Sequence, residues 1–233
     1  MSLAAKFRFA TNWRLTISLL LLIATASLLS VTEAPRYLAV AEARYPADVV
    51  VVFMGQDFEA RQNEARALIE EGFADCIMLP AYGEIHCQGP GKELPYVYVK
   101  QVVKEIKATP IYIASEKWPY RMFESTHLEV ILTREMMLRD GSRTALLVSS
   151  PYHMRRIKII IAERVLGRVG LRFWCIPNRF ESIYPHSWWR HPKDIYWSFM
   201  EYLKIGWFYC YSTVFADKHS PLDSDIAAGH SPS

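Results

Sequence analysis

The chain has 233 residues, 51% of them hydrophobic, and a formal net charge of +3. That is ample apolar material for one core of ordinary size, but too little positive charge to argue for nucleic acid, and no interleaved basic–aromatic stripe accompanies it. G-x-S-x-G, H-E-x-x-H, C-x-x-C and G-x-G-x-x-G are all missing, which argues against serine hydrolase, zinc protease, thioredoxin-like and dinucleotide-binding readings.

Lys6, Arg8 and Arg14 precede an uncharged run, LTISLLLLIATASLLSV, from Leu15 to Val31. As a helix it would span about 26 Å, near the lower limit for crossing a bilayer. Residues 15–32 are therefore expected to be a transmembrane anchor, residues 1–14 a cytoplasmic N-terminus and residues 33–46 a linker. Three basic residues before the run, against Arg36 and Arg44 after it, place the domain in the periplasm. A cleaved signal peptide is the competing reading, with Ala41 to Ala43 as a processing site well past the apolar run.

From Ala47 the pattern alternates between strands and helices. ADVVVVFMG (Ala47 to Gly55) is a continuous β-branched run, as expected of a parallel strand covered on both faces. DFEARQNEARALIEEG follows, with Phe58, Ala65, Leu68 and Ile69 near one helical face and Gly72 as the stop. ADCIMLP (Ala74 to Pro80) is a second strand, which makes a strand–helix–strand unit with a right-handed crossover. AYGEIHCQGPGK is rich in turn-formers and is expected to be a loop. Leu94 to Ala108 reads as a helix, Thr109 to Ser115 as a third strand, and EKWPYRMFE as a loop.

STHLEVILTREMMLRDG reads as a helix opened by a Thr126/Glu129 capping box and closed by Gly141. RTALLVSS is a fourth strand. PYHMRRIKIIIAERVLG is a helix with Ser150 as its cap and Pro151 at its first position. LRFWCIP (Leu171 to Pro177) is a fifth strand, and HPKDIYWSFMEYLKIGWFYCY is a C-terminal helix from near Pro192. Residues 213–233 form a polar tail expected to be disordered. The expected fold class over residues 47–212 is α/β, a mostly parallel, doubly wound sheet of about five strands flanked by helices. Such sheets bind ligands beyond the carboxyl ends of their strands.

Three strand ends carry polar groups. In MGQDFEAR, Gly55 allows a tight turn and Gln56, Asp57 and Arg61 stand near the next helix; an ordinary strand-to-helix turn would also account for them. In FESTHLE, capping explains Thr126 and Glu129 and leaves Glu124, Ser125 and His127. LLVSSPYHMRRIK brings Ser149, Ser150, Tyr152, His153, Arg155 and Arg156 to a helix start. The helix dipole favours acids there, by roughly 0.3–1 kcal/mol per exposed charge. Two arginines therefore point to an anion that arrives, and their planar fork suits phosphate or carboxylate. The plain alternative leaves one Arg solvated and pairs the other with a nearby acid. Of the four cysteines, Cys76 and Cys87 can close a disulfide in an oxidising compartment, or all can be buried thiols.

LLVSSPYHMRRI resembles the strand-then-TSxYHMxRA signature of the SanA/YdcF/ElyC-like family, the domain of unknown function numbered 218. ADVVVVFMG resembles that family's first strand and glycine turn, and Arg61, Ala65, Leu68, Gly72 and Ala74 resemble its RxxxAxxLxxxGxA helix. Ser125, Thr126 and Glu129 stand at its Ser/Thr-rich acidic segment. Strand two ends in LPAYGE where the family has Ser-Gly-Gly. The resemblance implies a Rossmann-like fold behind an N-terminal anchor, and a role in bacterial envelope biogenesis linked to peptidoglycan precursors or lipid carriers.

Two functions follow as expectations. In the first, the domain binds a phosphate-bearing molecule such as a nucleotide, an isoprenoid phosphate or a cell-wall precursor, and hydrolysis or transfer is left open. Arg155 and Arg61 hold the anion, and His153 is a general acid or base with Glu124, Glu116 or Asp57 as a second carboxylate or as a holder of a metal ion. The expected ligand-binding set is Gly55, Gln56, Asp57, Arg61, Ser125, Thr126, Ser149, Ser150, Tyr152, Arg155 and Arg156, with no metal site or cofactor assigned. In the second, the domain is a non-catalytic scaffold. LPAYGE supports it, as does an aromatic C-terminal segment (Trp188, Trp189, Trp197, Trp207 and Phe208) that either packs on the sheet or meets a membrane or partner.

Overall fold

The computed structural model describes residues 32–55, 57–89, 125–164, 170–184 and 186–214, together with residues 13, 16–22 and 25. The helix read at Leu94 to Ala108, the strand at Thr109 to Ser115 and most of the apolar run at 15–31 lie outside them. Among the described residues no helix is long and apolar enough to cross a membrane.

The elements are β1 (Val49–Val52), α1 (Phe58–Glu70), β2 (Cys76–Leu79), β3 (Glu84–Cys87), α2 (Ser125–Asp140), β4 (Thr144–Ser149), α3 (Met154–Arg164), β5 (Arg172–Pro177) and α4 (Pro192–Val214). A turn of 3₁₀ helix, Pro151–His153, joins β4 to α3. One five-stranded sheet runs in the order β3-β2-β1-β4-β5. β2, β1, β4 and β5 are parallel, and β3 pairs antiparallel with β2. The fold is α/β with a mostly parallel sheet.

Alternation along the two central strands divides the core. Val50, Val52, Leu146 and Val148 face Phe58, Ala65, Leu68 and Ile69 of α1. Val49, Val51, Ala145 and Leu147 face the other way, onto Met137 of α2, Ile157 and Ile160 of α3, and Phe208 and Tyr211 of α4. Both faces are therefore covered, which is why β1 and β4 carry unbroken apolar runs. Residues 39–47 run past β5, where Glu42 donates its amide to the Cys175 carbonyl at 3.0 Å and accepts the Cys175 amide through Oε2 at 2.7 Å.

Two expectations are corrected here. AYGEIHCQGPGK contains a strand, β3, folded back on β2 by the turn at Ala81–Gly83. Its turn-formers mark the two ends of a hairpin, with a four-residue strand between them. The Thr126/Glu129 capping box is not formed either. The described helix already includes Ser125 and Thr126, and Glu129 Oε2 accepts the Met54 amide at 2.8 Å.

The hairpin also settles the cysteines, because Cys76 and Cys87 are direct cross-strand partners and form a disulfide, Cα–Cα 4.0 Å. The next pair outward is the hydrogen-bonded one, Gln88 N to Asp75 O at 2.8 Å. Positions 76 and 87 are thus the closer, non-hydrogen-bonded pair that brings side chains together. Alkylation of the denatured, unreduced chain is expected to modify Cys175 and Cys210 and spare Cys76 and Cys87. The double variant Cys76→Ala/Cys87→Ala is expected to lose about 2–3 kcal/mol of stability, read from the denaturant midpoint.

Candidate functional site

The winding direction reverses between β1 and β4: the chain proceeds from β1 to β2 on one side and from β4 to β5 on the other. A crevice at the carboxyl ends of two such strands is where doubly wound sheets receive ligands. Here the first turns of α1 place Arg61 in that crevice, fully buried. Its Nη1 donates to the carbonyls of Phe53 (2.8 Å) and Met54 (2.6 Å) at the end of β1. Its Nη2 donates to Ser150 Oγ (2.8 Å) at the end of β4 and faces His153 Nδ1 at 3.3 Å.

Gly55 is what lets the guanidinium in. Its φ is +149°, and a Cβ there would lie 2.7 Å from both Nη atoms of Arg61. Beside it Glu129 is buried behind the Met54 amide. Burial pushes its carboxyl up to about 8, although that hydrogen bond and the nearby Arg61 and Arg156 favour the ionised form.

A second centre is Glu201 of α4, also fully buried. Arg156 meets it through Nε to Oε2 (2.7 Å) and Nη2 to Oε1 (3.1 Å). Oε1 also receives His153 Nε2 at 3.2 Å and Lys204 Nζ at 3.3 Å. Burial alone would raise this carboxyl, but the charges of Arg156 and Lys204 and the Arg156 hydrogen bond outweigh it and hold it low. His153 is pushed down to about 3, first by burial and then by Arg61, Arg156 and Lys204, against the pull of Glu201. The imidazole is therefore neutral at physiological pH. Its Nδ1 accepts from Arg61, which leaves the ring proton on Nε2, 3.2 Å from Glu201 Oε1.

Above this network lies an open cleft of about 210 Å³. Met54 and Gly55 line it from β1's end, Ser125 and Thr126 from α2, Ser150, Tyr152, His153 and Arg156 from the β4–α3 junction, and Trp197 and Lys204 from α4. Glu181 closes the wall after β5, and its buried Oε2 has no hydrogen-bond partner among the described residues. Among the described residues no cluster of side chains could hold a metal ion.

Of the residues singled out from sequence, the cleft gathers Gly55, Arg61, Ser125, Thr126, Ser150, Tyr152, His153 and Arg156. Three stand elsewhere. Arg155 donates from Nε to the Tyr37 carbonyl (2.7 Å) and lies 4.2 Å over the Tyr37 ring, because its neighbour Arg156 takes the inward side of α3. Asp57 is in the left-handed region (φ 55°) and pairs with Lys193 at 3.1 Å on the surface. Ser149, fully buried, gives its carbonyl to the Asn178 amide and is not part of the cleft wall. Ser150 occupies the cap position without capping, because its hydroxyl accepts from Arg61 instead. Gln56 and Glu124, like Glu116, lie outside the described residues.

The puzzle of two arginines at a helix start is thus answered from within the protein. Arg156 meets the carboxylate of Glu201, and Arg155 a carbonyl and an aromatic ring. Sequence reasoning missed Glu181, Glu201 and Lys204, and it read Trp197 as part of an aromatic segment and not as a wall of the cleft. The signal for Glu201 and Lys204 was a pair of charges three residues apart within an aromatic helix.

Gly55→Ala is expected to cost about 2–4 kcal/mol in a denaturation experiment, from strain at positive φ plus the clash with Arg61. The pH dependence separates the two centres. Glu129 has a folded pKa near 8 against an ordinary 4.5, so its protonated form stabilises the fold and that stabilisation is lost as pH rises towards 8. His153, at about 3 against 6.5, acts in the opposite sense and only below 6.5. Between pH 6.5 and 8 the wild-type melting temperature is expected to fall, and in Glu129→Gln that slope is expected to flatten.

No family model, no curated protein and no solved structure matches the chain. What the cleft can do is therefore argued from its own geometry.

Proposed function

We propose that this chain is a membrane-anchored protein of the bacterial cell envelope, related to the SanA/YdcF/ElyC-like proteins, whose α/β domain binds a phosphate-bearing small molecule at the β1/β4 crevice. The observation that carries the reading is the cleft's donor set. The Lys204 ammonium and the Ser125 and Thr126 hydroxyls line a space beneath which Arg61 and Arg156 add positive potential. The two guanidiniums act at a distance, since Arg61 donates to Phe53, Met54 and Ser150 and Arg156 to Glu201. Direct contacts to a phosphate fall to Lys204, Ser125 and Thr126, and the Glu181 oxygen, without a hydrogen-bond partner among the described residues, suits a hydroxyl or amine elsewhere on the same ligand. Nucleotides, isoprenoid phosphates and sugar-bearing cell-wall precursors all have that combination. The anchor rests on the uncharged run Leu15 to Val31, and the Cys76–Cys87 disulfide supports an oxidising compartment outside the cytoplasm.

A second reading, a non-catalytic scaffold, is favoured by one observation. Both ring nitrogens of His153 are engaged inside the protein, and its pKa of about 3 makes it a weak general base at neutral pH. Thermal shift of the full chain in detergent separates the readings, with inorganic phosphate, uridine nucleotides and a short-chain isoprenoid phosphate as probes. At least one probe is expected to stabilise wild type and Arg155→Ala alike. Lys204→Ala is expected to weaken binding about tenfold. A cooperative melt that none of the probes moves at millimolar concentration would sink the binding reading and leave the scaffold.

A further inference from the structure

Helix α4 has two faces of opposite character. Asp194, Ser198, Glu201, Ile205, Phe208 and Tyr211 turn inward and are buried. On the other face, every exposed position from Ile195 to Cys210 is apolar or aromatic. Tyr196, Phe199, Leu203, Trp207 and Tyr209 are 44–60% exposed. This strip is about 22 Å long at helical rise and carries no charge. Single exposed apolar side chains are ordinary; a contiguous charge-free strip of this length marks a contact with something other than water.

The place where the chain enters says what that something is. Residues 32–38 are helical and dock on the edge of this strip. Tyr202 Oη donates to the Ala34 carbonyl at 2.9 Å, and the Tyr37 and Tyr202 rings stack at 6.3 Å. Leu38, fully buried, packs with Tyr152 and Ile205. The uncharged run ends at Val31, three residues before Ala34. Three extended residues reach about 10 Å, so the end of that run is held within that distance of the strip's middle. Tyr and Trp rings prefer the headgroup level of a bilayer, where an amphipathic helix lies flat with its apolar side inserted.

We propose that the outer face of α4 lies in the interfacial layer of the bilayer in which residues 15–31 are anchored. The proposal rests on the anchor reading given above and adds a second, peripheral contact that fixes how the domain sits on the membrane.

The chain carries its own probe. Cys210 is exposed on the strip, Cys175 is buried, and Cys76 and Cys87 are bonded to each other. Full-length protein labelled at Cys210 with an environment-sensitive fluorophore would be reconstituted into phosphatidylethanolamine/phosphatidylglycerol vesicles. The label is expected to shift to the blue and to be quenched about twofold by lipids spin-labelled near the headgroup. The same label on Glu70→Cys in a Cys210→Ser background is expected to behave as in water. Phe199→Glu/Leu203→Glu, two exposed sites away from the core, is expected to reduce the Cys210 quenching. Flotation after carbonate washing reads the anchor separately. Protein that floats while the Cys210 label stays in water overturns the bilayer contact and leaves the anchor standing. Energy transfer between differently labelled copies, without lipid quenching, overturns it in favour of a chain–chain interface. Protein that does not float removes the anchor and this proposal with it.

Discussion

The crevice between β1 and β4 depends on one buried guanidinium. Arg61 could not sit there unpaired, since an isolated charge out of water costs several kcal/mol even after relaxation. Its two Nη atoms are satisfied by the two carbonyls that β1 leaves free as it ends, and by the Ser150 hydroxyl where β4 ends. The same bonds tie together the ends of two strands that pair along their length through Val49–Val52 and Ala145–Val148. They also dictate Gly55, because the guanidinium occupies the volume a Cβ would need. One interaction thus sets the turn after β1, the hydroxyl after β4 and the floor of the cleft.

From that floor the polar network passes outward through His153 to Glu201. A neutral imidazole is the one ring state that can accept from Arg61 and donate to Glu201 at once. Burial depresses the histidine's pKa most, and protonation would also place a cation between Arg61, Arg156 and Lys204. Glu201 in turn needs the Arg156 and Lys204 cations, because a lone carboxylate at that depth would take up a proton. Glu129, which has the Met54 amide but no cation at salt-bridge distance among the described residues, does the opposite and is pushed up to about 8. Two buried glutamates in one site are therefore driven to different charge states by their immediate partners.

The parts of this arrangement written in local patterns were legible in the sequence. Continuous apolar runs gave β1 and β4, a 3.6-residue apolar period gave α1, and Gly55, Arg61, Ser150 and His153 were marked by their place at strand ends. What depended on distant pairing was not legible. Glu201 lies 45 residues from Arg156, and nothing near either one announces the other. Arg155 and Arg156 look equivalent in sequence, yet they are about 100° apart around a helix, so one faces the core and the other the surface. Glu129 fitted a capping box, but the unsatisfied amide of Met54, some 75 residues earlier, competed for its oxygen and won. The strand β3 was hidden because its four residues are flanked by glycines and a proline that speak for turns.

Helix α4 joins the cleft to the outer surface. Lys204 and Trp197 line the cleft, while Leu203 and Tyr196, one residue earlier in each case, stand on the exposed strip. A rotation of 100° per residue is enough to separate an ammonium bonded to Glu201 from an apolar side chain facing outward. Such a helix cannot be explained by core packing alone. Packing accounts for Ile205, Phe208 and Tyr211, and the ion pairs account for Glu201 and Lys204. The aromatic outer face is left over, and in water it costs solubility without any return in stability. Its proximity to the docked residues 32–38 gives that face a place to be used, on the side of the domain where the uncharged run comes in.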